Sequence, residues 1–335
     1  MLALIFLLGL CSLSSPKQMP VVGIIDFYGL RSVTENQARA ALHLSEGEAL
    51  PDSFAEAKGR LESLPNVAEA RLNAACCEAG KVILYVGIRE KGSLIMRFRT
   101  GPKGAVRLPE RILQSGEAFQ RFLEAAVLKG EGGEDDSQGH ALSLNSELRS
   151  VQEQFITFAA EDLTRLRRVL RESSDAQHRA LAAQIIAYAA NKRVIAADLQ
   201  FAMRDADENV RNNSLRALMV LAGYALRSPH ERIRIRVRPF VALLNSIVWT
   251  DRNKASSALL QLTEKRDPSV LRLLRKQALL SLAEMARWKS PGHAQASFTV
   301  LGRVGNFTEN EIERTWASGN REFLIQRIMK ESGTK

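Results

Sequence analysis

The sequence predicts a small α+β domain of order β-α-α-β-β followed by an all-α solenoid of paired helices. Three observations point there. Residues 19–91 interleave β-prone runs with two short helix-period runs. From position 151 onward Ala, Leu and Arg dominate, and these are strong helix formers. Within that second half, stretches opening on Asp recur, each with a shorter apolar helix ahead of it, as a repeat array requires. The expected organisation is a signal peptide at 1–15, the α+β unit at 19–91, a connector at 92–150 and the repeat domain at 151–335.

Residues 1–10 form an apolar run too short to span a bilayer, which needs about 20 residues. Small side chains at Ser12 and Ser14 then suit cleavage after Ser14, so export to the periplasm or cell envelope is expected. Residues 21–28 (VVGIIDFY) read as a strand ended by Gly29. Ser32 with Glu35 three residues on reads as a capping box for a helix to about Leu44. Pro51 and Asp52 open a second helix with Phe54, Ala57, Leu61 and Leu64 at helical spacing, stopped by Pro65 and Asn66. Strands follow at 67–75 and 81–90. In the last, Val82, Leu84, Val86 and Ile88 alternate, as a strand buried on one face would.

This unit resembles the POTRA (polypeptide-transport-associated) domain of outer-membrane assembly proteins, two-partner secretion transporters and a bacterial division protein. The residues that carry the likeness are Ile24-Ile25-Asp26-Phe27-Tyr28-Gly29-Leu30, then Leu44, Gly47 and Leu50, then Leu64-Pro65-Asn66-Val67 with Ala70. The run 82–88 closed by Glu90-Lys91 completes it. The resemblance implies binding of a peptide or protein at a sheet edge, where unpaired N–H and C=O groups can receive an extended chain. Such domains usually continue into a β-barrel or a membrane anchor, and no barrel-like pattern follows here.

In the connector, residues 94–99 suggest one more strand and 109–128 one or two helices. The segment 130–140 (GEGGEDDSQGH) carries the glycines and acids of an exposed, solvated loop. It lacks the Lys-Ser/Thr of a phosphate loop and the acid spacing of a calcium loop. Asp135, Asp136 and His140 remain its only arguable metal or hydrolase set.

In the helical half, Asp175-x-x-His178-Arg179, Asp207-x-x-Val210-Arg211 and Asp251-x-x-Lys254 each begin a stretch with an apolar stripe, and each Asp is expected to cap its helix. Shorter helices at 163–170, 194–203 and 240–248 precede them. Asp267-Pro268 opens a further helix. Helix pairs of this kind resemble HEAT repeats over about residues 160–290. That resemblance implies an extended protein-binding platform and a structural, repeat-tying role for the Arg after Val, here Arg211.

Composition is that of a globular chain, 45% apolar and 25% charged. The formal charge of +10 is uneven: residues 1–91 carry a net −1, and residues 151–335 carry +11. Arg232, Arg234, Arg236 and Arg238, two apart with Ile233, Ile235 and Val237 between them, form the candidate basic binding patch. Trp249, Trp288 and Trp316 are expected in core and capping contacts near helix ends. Cys76 and Cys77 are expected as free thiols of apolar character. The five histidines are scattered, and no HExxH, GxSxG or GxGxxG occurs. The sequence therefore points to a non-enzymatic adaptor or scaffold with no cofactor and no metal. Its expected partner is an envelope or secretion protein, and membrane contact would be peripheral. The alternative is a basic nucleic-acid-binding protein of the HEAT-like kind.

Overall fold

The computed structural model describes residues 20–333. The signal-peptide expectation and Cys11 lie outside them. Strand β1 (Val22–Tyr28) leads to helices α1 (Glu35–Leu42) and α2 (Ala55–Glu62), then to β2 (Val67–Glu78) and β3 (Lys81–Glu90). The sheet order is β1-β3-β2, with β1 parallel and β2 antiparallel to the central β3. Apart from the two-residue pair noted below, the rest of the described chain is helical or irregular, so the molecule is a mixed α/β fold with a small sheet near the N-terminus.

Several local expectations shift. The capping box of α1 is Thr34 with Gln37, not Ser32 with Glu35. Ser32 instead donates from Oγ to Glu90, whose carboxylate also accepts the backbone N–H groups of Arg31, Ser32 and Val33. Helix α2 starts at Ala55 with no side-chain cap, later than Pro51-Asp52 suggests. Strand β3 is buried on both faces rather than one. Leu84, Val86 and Ile88 join a small core with α1 and α2, while Ile83 and Tyr85 join the large core of the helices. Residues 94–99 form neither strand nor helix. Arg99 N–H donates to the Arg204 carbonyl, a loop contact and not a ladder. Cys76 stands exposed near the end of β2 and is disulfide-bonded, so it does not pack as a small free thiol.

The connector forms one long helix, α3 (Glu110–Leu128), then a two-stranded pair, β4 (Glu134–Asp135) with β5 (Leu142–Ser143). Helix α4 follows at Ser146–Glu161. The segment 130–138 is largely exposed, yet Gly139 and His140 are buried and Glu134 and Asp136 are latched to later arginines. The solvated-loop expectation therefore holds only for the tip.

Ten helices complete the described chain: α5 (Leu163–Glu172), α6 (Ala176–Ile186), α7 (Lys192–Ala202), α8 (Glu208–Arg227), α9 (Val237–Leu243), α10 (Trp249–Leu262), α11 (Pro268–Ala286), α12 (Pro291–Val304), α13 (Glu309–Ala317) and α14 (Arg321–Glu331). Each odd-numbered member packs on the next, and the second members follow one another, α6 on α8, α8 on α10, α10 on α12. Their apolar stripes, for example Leu215, Leu218 and Leu221 of α8, meet in one core.

A recurrent polar device starts three of the second helices. Asp175 and Asp207 cap α6 and α8 as expected. Two residues before each cap sits a side chain that accepts the cap's N–H: Ser173, Asp205 and, for α10, Ser246. Four residues after each cap sits an arginine, Arg179, Arg211 or Arg252, which donates back to that preceding turn. The cap of α10 is Val248, so Asp251 is not a cap. It is fully buried and receives Arg211 (2% exposed) through Nε at 2.9 Å and Nη2 at 3.0 Å. The same linkage joins Arg179 to Asp205 at 2.8 Å and Arg252 to Glu284 at 2.9 Å. The third copy thus begins three residues earlier than the Asp251 pattern implies, and Arg252 rather than Lys254 is the equivalent of Arg211.

Candidate functional site

The sheet lies against the helices through an aromatic junction. Tyr85 stacks on Trp249 with centroids 4.8 Å apart and tilts against Trp288 at 4.9 Å. Its hydroxyl lies 2.7 Å from His293 Nδ1. Tyr28 donates to the Ile247 carbonyl at 2.7 Å, which Gly87 permits, because a Cβ there would sit 2.6 Å from both groups. Asp26 accepts the Lys289 N–H, and Arg31 pairs with Glu284. Burial raises the pKa of Asp26 and, more strongly, of both tyrosines, so the junction holds neutral phenols. Trp249 and Trp288 are core residues here, and Trp316 packs on Phe298.

The two sheet edges differ. Along β1, the segment 47–50 returns against Pro20, Val21 and Val22, and Lys289 Nζ and Arg39 donate to the Ile25 carbonyl. On β2 the Ala70 N–H leaves the ladder for Glu62. By the two-residue alternation of a strand, the N–H and C=O groups of Leu72 and Ala74 share that outward direction. Among the described residues no backbone group pairs with them. The β2 edge is therefore open where Ala74 itself is exposed.

Beside β2 a cleft of about 670 Å³ separates the sheet from α8 and the loop before α10. Arg31, Arg71 and Arg89 line its sheet side, with Glu69 between Arg71 and Arg89 and Arg71 reaching toward Glu208 at 3.9 Å. Met96 and Phe98 floor it, and the same segment carries Leu94 and Ile95 into solvent, 88% and 65% exposed. An adjoining hollow of about 650 Å³ places these apolar side chains against Arg97, Arg204, Arg238 and Lys276.

The candidate basic patch sits next to that hollow. Arg232 is left-handed, residues 233–236 form an irregular run into α9, and Arg232, Arg234, Arg236 and Arg238 are all exposed while Ile233, Ile235 and Val237 pack on the core. None of the four arginines makes an ion pair among the described residues. Asp135, Asp136 and His140 do not assemble a site. Asp135 accepts the Ser137 N–H, Asp136 pairs with Arg227, and buried His140 lies 2.9 Å from Lys192 Nζ. Burial, reinforced by Lys192, pushes the His140 imidazole down to about 4, and burial alone lowers Lys192 to about 8. No group of three potential metal ligands occurs among the described residues, and none of their helices is long and apolar enough to cross a membrane.

Sequence reasoning missed three features: the junction aromatics Tyr28 and Tyr85, the cleft and the Lys254 neighbourhood. Only the strand alternation of Ile83 and Tyr85 carried a signal for the first. Neither a scan against protein-family models nor a search of curated proteins finds a match to this chain.

Proposed function

We propose that the chain is an exported, cell-envelope adaptor that binds an extended segment of a protein partner along β2 and holds a second surface out on a HEAT-like helical solenoid. The observation that carries the reading is the asymmetry of the sheet: β1 is covered and β2 is open. An open edge adds a strand through main-chain hydrogen bonds, and the neighbouring cleft with Arg31, Arg71 and Arg89 would select acidic or polar side chains of that strand. The β-α-α-β-β order with sheet order 1-3-2, the pairwise stacking of α5 to α12 and the repeated arginine–acid links support the POTRA-like and HEAT-like parts of the reading.

Ala74→Pro tests it. The outward N–H of Ala74 takes no part in the ladder, so proline at this edge position leaves the fold intact while removing a donor that an added strand needs. Cross-linked co-purification from fractionated native cells should recover an envelope protein with the wild type and lose it with Ala74→Pro at unchanged thermal stability. Equal recovery with both would sink strand addition at β2.

The unpaired row Arg232, Arg234, Arg236 and Arg238 favours a second reading, binding to a nucleic-acid backbone by the helical half. Binding to duplex DNA should then weaken steeply with salt and vanish when the four are changed to Glu.

A further inference from the structure

Beneath the connector lies a half-open hollow that neither reading uses. Helix α3 and the β4–β5 pair close over one face of α6, α8 and α10, leaving a cavity of about 470 Å³. That volume is ordinary for a small-molecule site. The helix period explains who faces it: Asn213, Arg216 and Val220 recur along α8, and Thr250 and Lys254 along α10. Leu123 and Val127 of α3 form an apolar lid opposite. One side of the cavity is thus greasy and the other polar.

The polar side is electrostatically unfinished. Arg216 is engaged by Glu134, which also latches β4 to α8. Lys254 is half-buried and has neither an ion pair nor a hydrogen bond among the described residues. Burial pushes it down to about 8, and Arg216 adds to that push while Glu134 opposes it. His293 is lowered by burial and by Lys254. A half-buried cation without a counter-charge leaves room for an anion to supply one. Two carboxylates line the cavity, but Glu134 is committed to Arg216 and Glu131 accepts from the Asn145 side chain, so neither pairs with Lys254.

We propose that this cavity binds a small amphipathic anion, an aliphatic carboxylate in the simplest case, with its head group on Lys254 and its tail against Leu123, Val127 and Val220. Lys254 is distinguished by its half-buried place in the cavity lining, by the absence of a partner and by the apolar Leu123, Val127 and Val220 in the same lining. The inference is independent of strand addition at β2, because no residue of β2 lines this cavity.

Isothermal titration of the full chain with decanoate, decylammonium and decanol tests it. Decanoate should bind with one-to-one stoichiometry, and decylammonium should not bind. Removing the charge-assisted contact in Lys254→Met should weaken decanoate by at least about tenfold, and Lys254→Arg should restore most of it. Should Lys254→Met fail to fold, Val220→Phe keeps the charge and fills the space, and it should abolish binding equally. Heat from decanol equal to that from decanoate, undiminished binding in Lys254→Met or in Val220→Phe, or no binding of decanoate at millimolar concentration would each overturn the proposal.

Discussion

Glu90 is the residue on which the corner between β3 and α1 turns. Burial by itself would raise its pKa, but the Ser32 hydroxyl and the N–H groups of Val33, Arg31 and Ser32 outweigh that and hold it at about 2. Its folded pKa is below the unfolded value of about 4.3. The stabilisation is therefore complete above that range and is lost as pH falls through about 2. Glu90→Gln should destabilise by about 2 kcal/mol at pH 7, the scale of lost hydrogen bonds to a charged group. Urea titrations should show the gap between wild type and Glu90→Gln closing between pH 4 and pH 2. A gap that stays constant with pH would mean that charge is not what Glu90 contributes. Arg211 makes the stronger case. Arg211→Met leaves buried Asp251 with only the Ser246 hydroxyl as a side-chain partner, and breaking one side of such a pair costs about 3–5 kcal/mol. Arg211→Met with Asp251→Leu should recover a large part of that in chemical unfolding.

Among the elements, what could be read in advance was whatever rests on local periodicity and local chemistry. Strands β1, β2 and β3, helices α6, α8 and α11, and the caps Asp175, Asp207 and Asp267 all announce themselves within a few residues. Elements fixed from afar did not. Asp251 looks like a cap in sequence, and only the arrival of Arg211 from the preceding pair makes it a buried counter-ion. Residues 94–99 have strand propensity, but no neighbouring strand lies beside them, so Met96 and Phe98 pack on the helical core while Leu94 and Ile95 stay exposed. The arginine row 232–238 was legible as an alternation, and all four side chains are exposed, although the row runs from a left-handed residue at Arg232 into helix α9 at Arg238. Nothing in the sequence around Lys254 separates it from a surface lysine, because the apolar residues that share its hollow come from α3, more than a hundred residues away.

Across the whole molecule, the sheet and the helices share one core. Tyr28, Ile83 and Tyr85 belong to the same apolar cluster as α5 to α14, and the two-sided burial of β3 leaves the N-terminal unit without a wet face on that side. Residues 19–91 alone would expose that face, so they should associate or melt early, whereas the full chain should unfold in a single calorimetric transition. Tyr85→Ala removes the ring that stacks on Trp249 and should lower the stability of the whole chain by about 3–5 kcal/mol. Two separate transitions in the wild type, with only the first moved by Tyr85→Ala, would show that the sheet is an independent module. The division of the chain at position 91 that composition suggests is therefore one of sequence pattern. In packing terms the boundary is crossed by Tyr28, Asp26 and Arg31.

The bond from Tyr28 to Ile247 has a consequence in time. Its two ends are 219 residues apart, and the sheet is complete long before α10 to α12 exist. At about 5–20 residues per second, the face bearing Ile83 and Tyr85 stays open for on the order of 10–40 seconds on a growing chain. During that interval each copy offers its neighbours both an uncovered aromatic surface and the free margin of β2. A chain stalled before α10 is consequently the species most prone to join the wrong partner, and slowing synthesis between positions 90 and 250 should raise its aggregated fraction.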